Sequence, residues 1–155
     1  MGAAYFYHLT DSPLDSALSM LLRKAVKAGW RVTVRGTDAA RLDWLDERLW
    51  LGSEEEFLPH GRAGGGFDAD QPVLLTEGTE TPNGAVCLMS IDGAEVSAAE
   101  IDRMERTCVL FDGNDPDAVA HARDRWKALA DAGCALQYWA RDGGHWSRKA
   151  EHSPD

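Results

Sequence analysis

An open α/β fold with a mostly parallel sheet is predicted by three features of this 155-residue chain. Short apolar runs alternate with amphipathic stretches from the N-terminus onward, which is the rhythm of parallel crossover units. The runs are four to six residues long and rich in Val, Leu, Phe and Tyr, the length and composition of buried strands. The amphipathic stretches open on capping chemistry, and two of them close on glycine.

Taken in order, Ala4–Leu9 reads as an aromatic-rich buried strand closed by Thr10 and Asp11. Ser12 is the expected N-cap of a helix with Pro13 at its first position, Leu14, Leu18, Leu21, Leu22 and Ala25 as its apolar stripe, and Gly29 as its stop. Arg31–Arg35 is the next strand. Gly36, Thr37 and Asp38 turn the chain into a second helix, whose Leu42, Leu45 and Leu49 face a core while Asp43, Asp46, Glu47 and Arg48 do not. That helix runs into Trp50 and Leu51, and Phe57 and Leu58 follow just before Pro59 and His60. Large apolar side chains thus cluster where turn chemistry calls for polar ones. Two readings stay open: a loop tucked onto its own core, or a partner-binding patch rimmed by Glu54, Glu55 and Glu56.

Gly61–Gln71 is Gly-rich and polar and reads as a mobile surface loop. Val73–Thr76 and Ala85–Ser90 are short strands. Ser97 with Glu100 forms a capping-box pattern for a short helix that turns Ile101 and Met104 inward. Thr107–Phe111 is a strand, and a long helix follows to Ala132, with Pro116 in its first turn and Gly133 as its stop. Ala135–Ala140 is the last strand expected. Residues 142–155 read as a polar tail that frays, so residues 1–141 form a single domain.

Bulk properties narrow the function. No apolar run is long enough to span a bilayer, and MGAAYFYHLTDS lacks the basic and apolar regions of a signal peptide, so a cytoplasmic protein is expected, without a membrane partner. Cys87, Cys108 and Cys134 are widely spaced and suit buried reduced thiols better than a zinc site. With a formal net charge of −10, a broad grip on phosphates is not expected. Charge is uneven, however. Residues 118–150 hold six basic residues (Arg123, Arg125, Lys127, Arg141, Arg148, Lys149) against three acids, leaving ten basic against 23 acidic elsewhere. A locally positive patch on an acidic protein suits a small acidic ligand such as a peptide tail.

Catalytic signatures are few. The turn HLTDSP after the first strand has no glycine-rich phosphate cradle, and Gly64, Gly65 and Gly66 precede no capped helix carrying Lys and a hydroxyl. No nucleophile elbow occurs, and His8, His60, His121, His145 and His152 lack metal-ligand spacing. Asp11, Asp38, Asp92 and Asp112 each follow a strand, which would suit an Mg²⁺-dependent phosphoester hydrolase or simply turns and caps. No cofactor is expected. The long helix carries more information: Arg123, Trp126 and Lys127 are spaced to project from one face, two cations beside an indole. Such a trio can fork onto carboxylates and offer an apolar wall; equally, Trp126 can pack inward while the cations solvate the helix.

Several segments together, in order and spacing, resemble the chi subunit of bacterial DNA polymerase III holoenzyme: YFYHL at Tyr5–Leu9, LDERLW at Leu45–Trp50, FLPH at Phe57–His60, Pro72 with Val73, and ARDRWKA at Ala122–Ala128 followed by Gly133. The resemblance covers nearly the whole chain. It implies a single-domain, Rossmann-like three-layer α/β/α fold and a non-catalytic replication adaptor, an accessory subunit with no active site of its own. It further implies two partners. One is the psi subunit or another clamp-loader subunit, met through Trp50, Phe57, Leu58 and Pro59. The other is the acidic, Phe-ending C-terminal tail of single-stranded DNA-binding protein, met through Arg123, Trp126 and Lys127, with DNA contact mainly indirect. Where some members of that family place a basic residue one turn before Arg123, this chain has Val119, so either a weaker pocket or one completed by Arg141 or Arg148 is expected. A free-standing helicase or repair adaptor using the tail pocket alone is the variant of this reading.

Overall fold

A computed structural model describes residues 2–11, 13–50, 59–142 and 145–153, with the backbone alone at Trp50 and Asp142. Eight strands form one sheet: β1 (Ala3–Leu9), β2 (Val32–Arg35), β3 (Gly61–Arg62), β4 (Val73–Thr76), β5 (Cys87–Ser90), β6 (Arg106–Asp112), β7 (Ala135–Asp142) and β8 (His145–His152). Their spatial order is β3-β4-β2-β5-β6-β1-β7-β8, and every pairing is parallel except β7 with β8. Among the described residues four α-helices complete the fold: α1 (Leu14–Lys27), α2 (Ala39–Trp50), α3 (Ala98–Arg103) and α4 (Pro116–Asp131).

The sheet divides the interior into two cores because side chains alternate across each strand. Tyr7 and Leu9 join α1 and α2 on one face, with Leu18, Leu22, Leu42, Leu45 and Leu49. Ala4 and Phe6 join α3 and α4 on the other, with Ile101, Ala122, Leu129 and Leu136. This is the three-layer α/β/α arrangement that the resemblance implies. β1, paired on both edges and covered on both faces, reads as a nearly continuous apolar run for that reason.

Helix ends follow their local chemistry. Ser97 Oγ accepts the Glu100 backbone N–H at 3.1 Å while the Glu100 carboxylate accepts the Ser97 N–H, the reciprocal box expected from the sequence. Asp115 caps α4 through the Asp117 N–H at 3.0 Å, with Pro116 as first helical residue. Gly29 and Gly133 both have φ of +86°, and each places its own N–H and that of the next residue on the last carbonyls of its helix. At α1 the helix begins at Leu14, one residue later than expected, and Pro13 is its N-cap; Ser12 lies outside the described residues.

Two segments differ from the sequence reading. The Gly-rich stretch after His60 is not wholly a loop: Gly61 and Arg62 pair with Leu74 and Leu75 as the edge strand β3, and Asp68–Asp70 makes a 3-10 turn. Beyond Arg141 the chain is not a frayed tail in its described part. His145–His152 returns along β7 as an antiparallel edge strand, with a bulge between Tyr138 and Trp139, and Trp146 packs edge-on against Tyr7 at 5.3 Å.

Asn83 shows how the β4–β5 connection is held. Its amide donates to Val32 O and Gln71 O, both at 3.0 Å, and accepts from Thr33 Oγ1 at 2.9 Å, and Asn83 and Thr33 are both buried. Asn83→Ala leaves a buried hydroxyl and two carbonyls without these partners, so a loss of about 2–3 kcal/mol is expected in urea unfolding.

Candidate partner-binding site

α4 lies across β6 and β7 on the second face of the sheet and carries Arg123, Trp126 and Lys127 at three- and four-residue spacing. Trp126 is half-buried, edge-on to Phe6 at 5.4 Å and to Tyr138 at 5.9 Å. Arg123 and Lys127 are exposed. Among the described residues neither has an ion-pair partner, whereas Arg35, Arg41, Arg48, Arg62, Arg125, Arg141 and Arg148 are each tied to a carboxylate. The indole therefore packs inward and still forms one wall of a surface on which two cations stand unpaired.

Two residues that sequence reasoning missed complete this surface. Tyr138 stands on β7 between Trp126 and Phe111, and its hydroxyl shares a 2.7 Å hydrogen bond with His8 Nδ1 at the end of β1. Burial pushes the Tyr138 phenol above its ordinary value, and the nearby Arg123 guanidinium offsets part of that rise. His8 is itself edge-on to Phe111 at 5.3 Å. The signal available for both was alternation: His8 and Phe6 share a face of β1, and Phe6 is paired with Tyr138.

Alternation also removes an expected contribution. Arg141 and Arg148 do not complete the pocket. Arg141 lies two residues from Trp139, and Arg148 is directly opposite it, so both belong to the face that carries α1 and α2. There Arg141 reaches Asp11 at 3.5 Å and Arg148 reaches Glu151 at 2.7 Å. Val119, in the position of the missing basic residue, packs on the α4 core.

The second predicted patch is only partly described. Phe57, Leu58 and the Trp50 side chain lie outside the described residues. Pro59 is exposed, and His60 beside it is buried, with Nε2 at 3.1 Å from both the carbonyl and a carboxylate oxygen of Asp46. α2 thus ends, and the chain returns, at the β3 edge of the sheet. β3 is first in strand order and β7 seventh, six strand spacings or on the order of 30 Å apart, and α2 and α4 cover opposite faces.

The ends of β1, β5 and β6 open into a cavity of about 930 Å³ whose lining includes Asp11, Asp92 and Asp112. Asp92 pairs with Arg41 at 3.2 Å, Asp11 with Arg141, and Asp112 accepts the Asn114 N–H at 2.9 Å as a turn residue. Asp38 caps α2 through Ala40 N–H at 3.0 Å. Among the described residues no three His, Cys, Asp or Glu side chains converge as metal ligands, and no helix is long and apolar enough to cross a membrane.

Residues 1–137 match the family described as DNA polymerase III chi subunit, HolC. The chain belongs to that family. A curated relative from Rickettsia prowazekii (strain Madrid E), named probable DNA polymerase III subunit chi, is 26% identical over 91 residues, which are 59% of this chain and 55% of the relative. The chain thus spans about half the length of the curated relative it matches. Chi is an accessory subunit of the replication machinery. The chi match ends at Gln137, so Tyr138, the rest of β7 and all of β8 lie beyond it.

Proposed function

We propose that this chi-family protein is a non-catalytic replication adaptor that holds the acidic, Phe-ending tail of single-stranded DNA-binding protein at Arg123, Trp126 and Lys127, and meets the clamp loader, through psi or an equivalent subunit, around Trp50, Phe57, Leu58 and Pro59. The observation that carries the tail site is the pair of exposed cations without ion-pair partners among the described residues, beside the half-buried Trp126 and Tyr138. A guanidinium and an ammonium there can take carboxylates without breaking an existing ion pair, and the aromatic wall suits a phenyl group. The placement of α2 and α4 on opposite faces of the sheet supports simultaneous binding, so that the adaptor works by tethering in the cytoplasm, raising the loader's local concentration at protein-coated single strands.

A fluorescent peptide with an acidic, Phe-terminated sequence is expected to bind the wild type saturably, to weaken as salt rises, and to lose about tenfold in affinity in Arg123→Ala, the loss expected for one charge-assisted contact. Fluorescence anisotropy at low and moderate salt reads all three. Absence of binding to the wild type at either salt overturns the tail reading.

A further inference from the structure

We infer that the peptide site continues past α4, across β7 and onto β8, as a groove floored by Tyr138, Ala140, Ser147 and Ala150. This extension rests on the tail reading above and adds to it a strand that the chi match does not include. Direct antiparallel partners share a face of a sheet. Tyr138 is opposite Ala150, and Ala140 is opposite Ser147. Since Tyr138 belongs to the α4 face, all four residues look out on the side from which Arg123 and Lys127 project. α4 lies over β6 and β7, while β8 is one strand further out, where Ala150 is exposed.

The composition of this floor favours an extended occupant. Ala140, Ser147 and Ala150 are small, so beyond Tyr138 the surface beside α4 is low, with His152, opposite Leu136, at one end. From Tyr138 to Ala140 the floor runs about 7 Å along β7, the span of two extended residues, and it continues sideways onto β8. The sign of the occupant comes from the wall, where Arg123 and Lys127 form no ion pair among the described residues. The edge itself is closed to strand addition by its own irregularity: the bulge between Tyr138 and Trp139 interrupts the ladder at Lys149, and Arg148 and Glu151 flank it. The occupant therefore lies over the face of β7 and β8 as an acidic peptide segment, its terminal aromatic group toward Trp126 and Tyr138 and its preceding carboxylates toward Arg123 and Lys127.

The test uses the same acidic, Phe-ended peptide with wild type, Arg123→Ala, Ala150→Glu, Ala150→Lys and Arg148→Ala. Ala150 is exposed, so its variants keep the fold, which thermal melts verify. Ala150→Glu is expected to weaken binding about tenfold and Ala150→Lys to tighten it, whereas Arg148→Ala, which shifts net charge by the same single unit as Ala150→Glu but on the opposite face, stays within twofold of wild type. Equal weakening in Arg148→Ala and Ala150→Glu would assign the effect to long-range charge and overturn the extension. Wild-type affinity in both Ala150 variants, with loss in Arg123→Ala, would overturn the extension and leave the tail reading standing. No binding to the wild type would overturn both.

Discussion

Arg35→Met is expected to lower the unfolding free energy by about 3–5 kcal/mol, the cost of removing one partner from a buried ion pair. Arg35 is 2% exposed at the end of β2, and all five of its N–H donors are used. Two form a fork onto the Glu100 carboxylate at 3.0 and 2.7 Å; the others reach Gly78 O at 3.1 Å, Glu95 O at 3.0 Å and Thr79 O at 2.9 Å. One side chain therefore ties the β4–β5 connection, the β5–α3 loop and the first turn of α3 to the sheet. Methionine keeps much of the volume but leaves three carbonyls and a carboxylate without those donors. Urea unfolding reads the loss, and the double variant Arg35→Met, Glu100→Gln should recover part of it, because no charge is then left unpaired.

The same pair gives stability a defined pH dependence. Burial alone would raise the Glu100 carboxyl, but the hydrogen bonds from Arg35 and Ser97, together with the Arg35 charge, outweigh it and hold the group below its ordinary value of 4.5. A carboxyl depressed in the folded state contributes stability that is present above its unfolded pKa and is lost as pH falls through the folded one. Wild type should therefore lose this contribution on acidification below 4.5, and Arg35→Met should lose less over the same interval.

The parts of the fold legible in the sequence are those decided by near neighbours. Ser97 and Glu100 satisfy each other three residues apart, Asp115 and Pro116 start α4 by themselves, and Val73–Thr76 is apolar enough to be read from its four residues. β3 was illegible because two residues, Gly61 and Arg62, carry no pattern; only their ladder with Leu74 and Leu75 makes them a strand. β8 was illegible for a different reason. HWSRKAEH is mostly exposed, and what orders it is the otherwise open edge of β7 and a seat for Trp146 beside Tyr7. The candidate site divides the same way. Arg123, Trp126 and Lys127 share a helix face by spacing alone, whereas the contact of His8 with Tyr138 joins residues 130 apart and exists only once β1 and β7 are paired. The expectation that Arg141 or Arg148 would complete the pocket used proximity in sequence where the two-residue period of a strand decides, and that period sends both to the opposite face.

Reversing both cations of α4 is expected to separate binding from folding. Trp126 packs on Phe6 and Tyr138, so its removal would cost stability as well as any peptide contact, and such a variant could not tell a core residue from a binding wall. Arg123 and Lys127 are exposed and without ion-pair partners among the described residues, so Arg123→Glu with Lys127→Glu should leave urea stability within about 0.5 kcal/mol of wild type, as for most surface changes. A charged hydrogen bond contributes roughly 1.5–3 kcal/mol, so two such bonds lost to an acidic peptide, with repulsion in their place, correspond to at least a hundredfold loss of affinity. The residual binding should also strengthen with salt, because screening now relieves repulsion and no longer weakens attraction. Anisotropy titrations at two ionic strengths read both the loss and the change of sign. A double variant that bound the peptide as wild type does, with the same salt dependence, would mean that these two cations only solvate the helix.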